Sequence, residues 1–162
     1  MTINQLQILK DRIRLLLKGK VVFMGIGNIL RGDDGIGPEL VARLSGKGLF
    51  TVDAGTVPEN YIRPVVRLDP DTVVIVDAVS MDSDRGVVEL LDRSEILGNT
   101  GFTTHTLSPV MVMERLEEET GARVVMLAIQ PGTLEFGAPL SPEVARLLEV
   151  LPDLLTQEKS TS

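Results

Sequence analysis

Apolar positions recur along this chain with two periods, and the switches between them predict most of its elements. In residues 2–18, Leu6, Leu9, Ile13, Leu16 and Leu17 fall at helical spacing, with Lys10, Asp11, Arg14 and Lys18 elsewhere. That pattern predicts an amphipathic helix ended by Gly19. The apolar run at 21–24 predicts a strand closing at Gly25 and Gly27, followed by a helix over about 38–44 in which Pro38 suits the first turn. A short strand at 49–53, a DAGTVPEN loop and a YIRPVVRL helix shortened by Pro64 come next. TVVIVDAV is an uninterrupted apolar run, as expected of a central parallel strand. GVVELL reads as another strand, RSEIL as a helical turn and TTHTLSP as a loop, with Ser108 and Pro109 capping and starting a helix that reaches about Glu119. RVVMLAI is the last strand, Gln130-Pro131-Gly132 a turn, and SPEVARLLEVLPDLL a final amphipathic helix with a Ser141 cap. Residues 156–162 are expected to form a flexible tail.

Alternating strands and helices predict an α/β three-layer sandwich, a twisted sheet of about five strands with helices on both faces. The sheet is mostly parallel but mixed, because the connection from Asp77 to Gly86 is too short for a helical crossover and makes GVVELL antiparallel. A length of 162 residues and 43% hydrophobic content suit one domain spanning 1–162, with no linker or repeat. The net charge of −7 argues against nucleic acid or an anionic membrane as the main partner. The N-terminus lacks a signal-like pattern and no run is long enough to span a bilayer, so a soluble cytoplasmic protein is expected. The oligomeric state is not legible.

The chemistry concentrates after the first strand, in VVFMGIGNILRGDDGIG. The glycine spacing fails the dinucleotide fingerprint, and Asp33 and Asp34 stand where phosphate would sit. No Lys-Ser or Lys-Thr completes a P-loop. With no cysteine and a single histidine, thiolate metal sites, cysteine nucleophiles and a His-Glu-x-x-His helix are impossible, and no Gly-x-Ser-x-Gly elbow is present. In open parallel sheets ligands bind beyond the carboxyl ends of the strands. Asp33 and Asp34 follow the first strand, Asp53 ends the second and Asp77 the third. If the loop of His105 reaches the same rim, then Asp34, Asp77 and His105 supply two carboxylates and an imidazole to a divalent cation, suiting nickel, zinc, iron or manganese alike. The plainer readings are a turn-forming Asp33, a structural Asp53, a cap at Asp77 and a hydrogen-bonded His105. Glu59 and Asn60 either cap the following helix or line a peptide groove, and Gln130 either satisfies backbone groups or lines that groove.

GIGNILRGDDGIGPEL, DAGTVPEN, VVIVDAVSM, TTHTLSP and LAIQP occur in this order over residues 21–150. Together they resemble the nickel-iron hydrogenase maturation proteases, in particular the type serving hydrogenase 3 of formate hydrogenlyase. The resemblance implies a five-stranded α/β fold and an endopeptidase that removes a C-terminal extension from the hydrogenase large-subunit precursor after nickel insertion. It implies Asp34, Asp77 and His105 as metal ligands, with nickel supplied in the substrate and Asp34 where several relatives have glutamate. Asp34 or Asp77 would act as base, in aspartic-type or metal-assisted hydrolysis. Asn28, Glu59, Asn60, Thr104 and Gln130 are the residues expected to bind substrate. The N-terminal helix departs from the compact family pattern, in which the chain begins close to the first strand. A nickel-sensing or nickel-delivery accessory protein without catalysis is the alternative reading.

Overall fold

Strands β1 (Val21–Ile26), β2 (Phe50–Gly55), β3 (Thr72–Ala78), β4 (Val88–Asp92) and β5 (Arg123–Ile129) form one sheet in the order β2-β1-β3-β5-β4. The structure is a computed structural model that describes residues 1–98, 101 and 107–160, the side chains of 107–108 and 157–160 excepted. β1, β2, β3 and β5 run parallel, and β4 lies antiparallel on the edge against β5, as the short connection required. The helices are α1 (Ile3–Leu16), α2 (Ile36–Gly46), α3 (Ile62–Arg67), α4 (Arg93–Leu97), α5 (Leu107–Thr120), α6 (Pro142–Ala145) and α7 (Leu147–Ser160). Among the described residues, no helix is long and apolar enough to cross a membrane.

Strand alternation divides the core in two. Val21, Phe23, Val74 and Val76 face a cluster shared with α1, α2 and α7, whereas Val22, Met24, Val73 and Ile75 face one shared with α3 and α5. Both faces of β1 and β3 are therefore buried, which explains why these strands read as continuous apolar runs. α1 starts with a capping box between Thr2 and Gln5 and buries Leu9, Ile13 and Leu16. Arg12 fastens α1 to the sheet edge: its Nε donates to the Leu90 carbonyl at 3.1 Å and its guanidinium pairs with Glu95. The N-terminal helix thus packs on the domain.

Element boundaries differ from expectation where tertiary contacts outweigh local signals. A 3₁₀ turn, Gly32–Gly35, leads directly into α2, so the helix starts at Ile36 rather than Pro38. Pro38 then lies in the first turn, where its missing N–H costs no intrahelical bond. α5 likewise begins at Leu107, which places Ser108 and Pro109 inside its first turn rather than at the cap. The final helix is divided into α6 and α7, with Pro152 inside the latter. Pro152 has no donor for the Leu148 carbonyl one turn back, and Arg43 Nη1 lies 3.5 Å from that oxygen instead. α7 continues to Ser160, through most of the residues expected to fray.

Candidate active site

β1 and β3 are neighbours whose chain connections leave in opposite directions along the sheet, β1 to β2 on one side and β3 towards β5 and β4 on the other. The space beyond their carboxyl ends is therefore a topological switch point. Gly25 of β1 pairs with Val76 of β3, so Asp77 stands one residue past that pair, level with the start of the Gly27 loop. Two glycines let the loop and α2 settle onto these strand ends. Gly27 takes φ 145, and a Cβ there would collide with the Asp34 carbonyl. A Cβ on Gly37 would fall 2.6 Å from the Val76 carbonyl. Larger residues would push the Asp34 loop away from β3.

Asp33 and Asp34 adopt opposite roles. Asp33 is fully buried and its carboxylate accepts four hydrogen bonds: from the backbone N–H groups of Gly132 (2.6 Å), Thr133 (3.1 Å) and Ser141 (2.6 Å), and from the Ser141 hydroxyl (2.8 Å). Burial opposes its ionisation, but the hydrogen bonds from Ser141, Gly132 and Thr133 prevail and hold its pKa below the usual value. Asp33 is the structural member of the pair, and it clamps the loop after β5. Ser141 occupies the N-cap position of α6 without a side-chain cap bond, since its hydroxyl is committed to Asp33. Nothing local in the sequence announces this clamp, because its partners lie about a hundred residues away.

Asp34 is only half-buried, and its Oδ2 accepts the Asn28 N–H at 2.8 Å, which closes the loop on itself. Asp77 is buried at the end of β3, with the parity of Val73 and Ile75, on the face covered by α3 and α5. Burial raises the Asp77 pKa well above the usual carboxylate value, the negative charge of Asp34 raises it further, and the Ala78 N–H partly offsets both. The negative charge of Asp34 is therefore felt at Asp77, at the end of the neighbouring strand. Thr104 and His105 lie outside the described residues. Among the described residues, no group of three His, Cys, Asp or Glu side chains is able to hold a metal ion. Two carboxylates supply hard oxygen donors that suit a divalent cation, and a third ligand has to come from elsewhere.

The other candidates are dispersed. Asp53 is exposed and its Oδ1 accepts the Gly55 N–H at 3.0 Å, a local turn contact. Asn28 uses its side-chain oxygen on the Leu30 N–H at 2.9 Å. Glu59 and Asn60 line a cleft of about 370 Å³ with Arg63, Arg115 and Glu119. Gln130 is buried, and its Oε1 accepts the Met81 N–H at 2.6 Å, so it ties the segment after β3 to the end of β5.

A mixed, mostly parallel sheet between helices, with carboxylates at its switch point, places this chain among the α/β proteins that carry an acidic candidate site at the carboxyl edge of the sheet. The family model described as HycI, hydrogenase maturation protease, matches residues 36–158. The hydrogenase 3 maturation protease of Escherichia coli K12 is 32% identical, covering 80% of this chain and 85% of its own. The crystal structure of HycI from Thermococcus kodakarensis superposes with a TM-score of 0.75 at 28% identity, covering 89% of this chain and 98% of that one. The endopeptidase HybD of E. coli gives 0.66 at 25% identity, covering 86% and 89%. The chain belongs to the hydrogenase maturation protease family, and it is an endopeptidase.

Proposed function

We propose that this endopeptidase removes the C-terminal extension of a nickel-iron hydrogenase large-subunit precursor once nickel has been inserted, and that Asp34, Asp77 and His105 engage that nickel. The observation that carries the reading is the pairing of Asp34 with Asp77 at the switch point of a hydrogenase maturation protease fold. Burial and the charge of Asp34 both oppose ionisation of Asp77. A cation brought to both carboxylates counters these effects, because it stabilises the ionised form of each. The pair is thus better suited to a precursor that carries a metal than to one that does not. Such differential affinity turns nickel into a recognition element and leaves an unloaded precursor uncut.

For hydrolysis, a carboxylate beside the scissile bond takes a proton from the attacking water, and Asp34 or Asp77 fills that role. Asn28, Glu59, Asn60, Thr104 and Gln130 are the substrate-binding candidates, with Gln130 acting through the segment it fastens. The protein works in the cytoplasm.

The test is to incubate the purified chain with nickel-loaded and nickel-free precursor and follow the C-terminal fragment by mass spectrometry. Fragment from the loaded form alone is expected. No fragment from either form overturns the protease reading for this substrate, and equal cleavage of both overturns nickel recognition. His105→Ala is expected to retain the fold, by circular dichroism, and to lose processing.

A further inference from the structure

Two loops at the carboxyl edge of the sheet each expose two large apolar side chains: Ile29 (62% exposed) and Leu30 (55%) after β1, Leu134 (49%) and Phe136 (75%) after β5. These loops are braced together. Gly137 N–H donates to the Leu30 carbonyl at 2.7 Å, Gly32 N–H to Ala138 at 3.1 Å and Asp33 N–H to Thr133 at 2.8 Å, beside the four bonds of the Asp33 carboxylate. The apolar groups therefore stand on a fixed platform, and exposing them has a persistent solvation cost. They also border the acidic site. The Ile29 Cα packs 3.0 Å from where a Cβ on Gly35 would lie, and Gly35 directly follows Asp34.

From this geometry we infer that Ile29, Leu30, Leu134 and Phe136 form a docking platform for an apolar, uncharged stretch of the polypeptide substrate next to its scissile bond. The inference rests on the proposed function for the substrate's identity. Continuity with the site selects the occupant, since the loop that carries Ile29 and Leu30 is the one whose Asn28 N–H holds the Asp34 carboxylate at 2.8 Å. Charge selects its chemistry. Of the four charged residues in the two loops, Asp33 is buried in its clamp and Asp34 belongs to the acidic site, which leaves beside the exposed apolar groups one exposed cation, Arg31, and one exposed anion, Glu135, a balance that favours no charged segment. Preorganised apolar residues at an interface centre supply affinity at low ordering cost.

The test compares wild type with the double variant Leu30→Asp/Phe136→Asp, both exposed positions, whose fold is checked by circular dichroism and thermal melting. Binding of the purified nickel-loaded precursor is measured by titration, and its cleavage by mass spectrometry across a concentration series. At least a tenfold loss of affinity is expected, with a matching rise in KM and cleavage recovering at saturating precursor. Unchanged affinity and KM overturn the inference. So does a wild-type dimer that the double variant splits, seen by sedimentation, with precursor affinity unaltered, since the platform would then serve a second copy. If wild type binds precursor through these residues but never cuts it, the proposed function fails while the docking inference stands. If wild type does not bind the precursor, both fail.

Discussion

The clamp around Asp33 and the pair formed by Asp34 and Asp77 sit next to each other, yet they treat negative charge in opposite ways. Asp33 receives four hydrogen bonds, and its ionised form is favoured despite complete burial. Asp77 is nearly as buried, and burial together with the nearby charge of Asp34 disfavours its ionised form. A buried charge that is fully satisfied holds structure together. One left in conflict with its neighbour is poised for chemistry or for a cation. The contrast assigns adjacent aspartates to different tasks that their shared residue type conceals.

The sharpest way to break this comparison is Asp33→Ala. It strands the N–H groups of Gly132, Thr133 and Ser141, and a loss of about 3–5 kcal/mol is expected in urea unfolding. A loss under about 1 kcal/mol would deny the clamp. Gly37→Ala tests how the two regions are brought together. Its methyl group would lie 2.6 Å from the Val76 carbonyl, so about 2–3 kcal/mol is expected to be lost, with processing falling beyond what instability explains.

The pH dependence of stability separates the two aspartates by sign. Asp33 has a lowered folded pKa, so it stabilises the fold above its unfolded value and that contribution disappears as pH falls through the folded value. Asp77 has a raised folded pKa, so its contribution is greatest below the ordinary carboxylate range and declines as pH climbs from there through the raised value. Thermal melts of Asp33→Asn should therefore show a shallower acid limb, and those of Asp77→Asn a smaller decline above the ordinary carboxylate range. The smallest effect belongs to a contact remote from both. Arg12→Ala removes a partly exposed ion pair and one carbonyl contact, about 1 kcal/mol, and should leave precursor cleavage unchanged.

What was legible in the sequence follows the range of each interaction. The TVVIVDAV run disclosed a central strand because both its faces are buried, and the short connection after Asp77 disclosed an antiparallel β4. Asp34 and Asp77 were legible as candidates because strand ends and switch points follow from element order. The partners of Asp33 were not, since Gly132, Thr133 and Ser141 are distant in sequence and Ser141 looks like an ordinary cap. Gln130 carried two readings, and the backbone contact at Met81 is the one observed. The apolar platform had a signal that passed unread. Leu134 and Phe136 are stranded in the Gly- and Pro-rich stretch PGTLEFGAPL, outside any helical or strand period.

The most direct measurement is precursor processing by Asp77→Asn, taken together with its melting temperature at neutral pH. Replacing a buried carboxylate that conflicts with Asp34 by a neutral amide of similar shape should raise Tm by a few degrees, the scale on which ~1 kcal/mol registers in a domain of this size, while abolishing release of the C-terminal fragment. A variant that melts lower than wild type, or that still processes the nickel-loaded precursor at the wild-type rate, would contradict the assignment of Asp34 and Asp77 as the working pair.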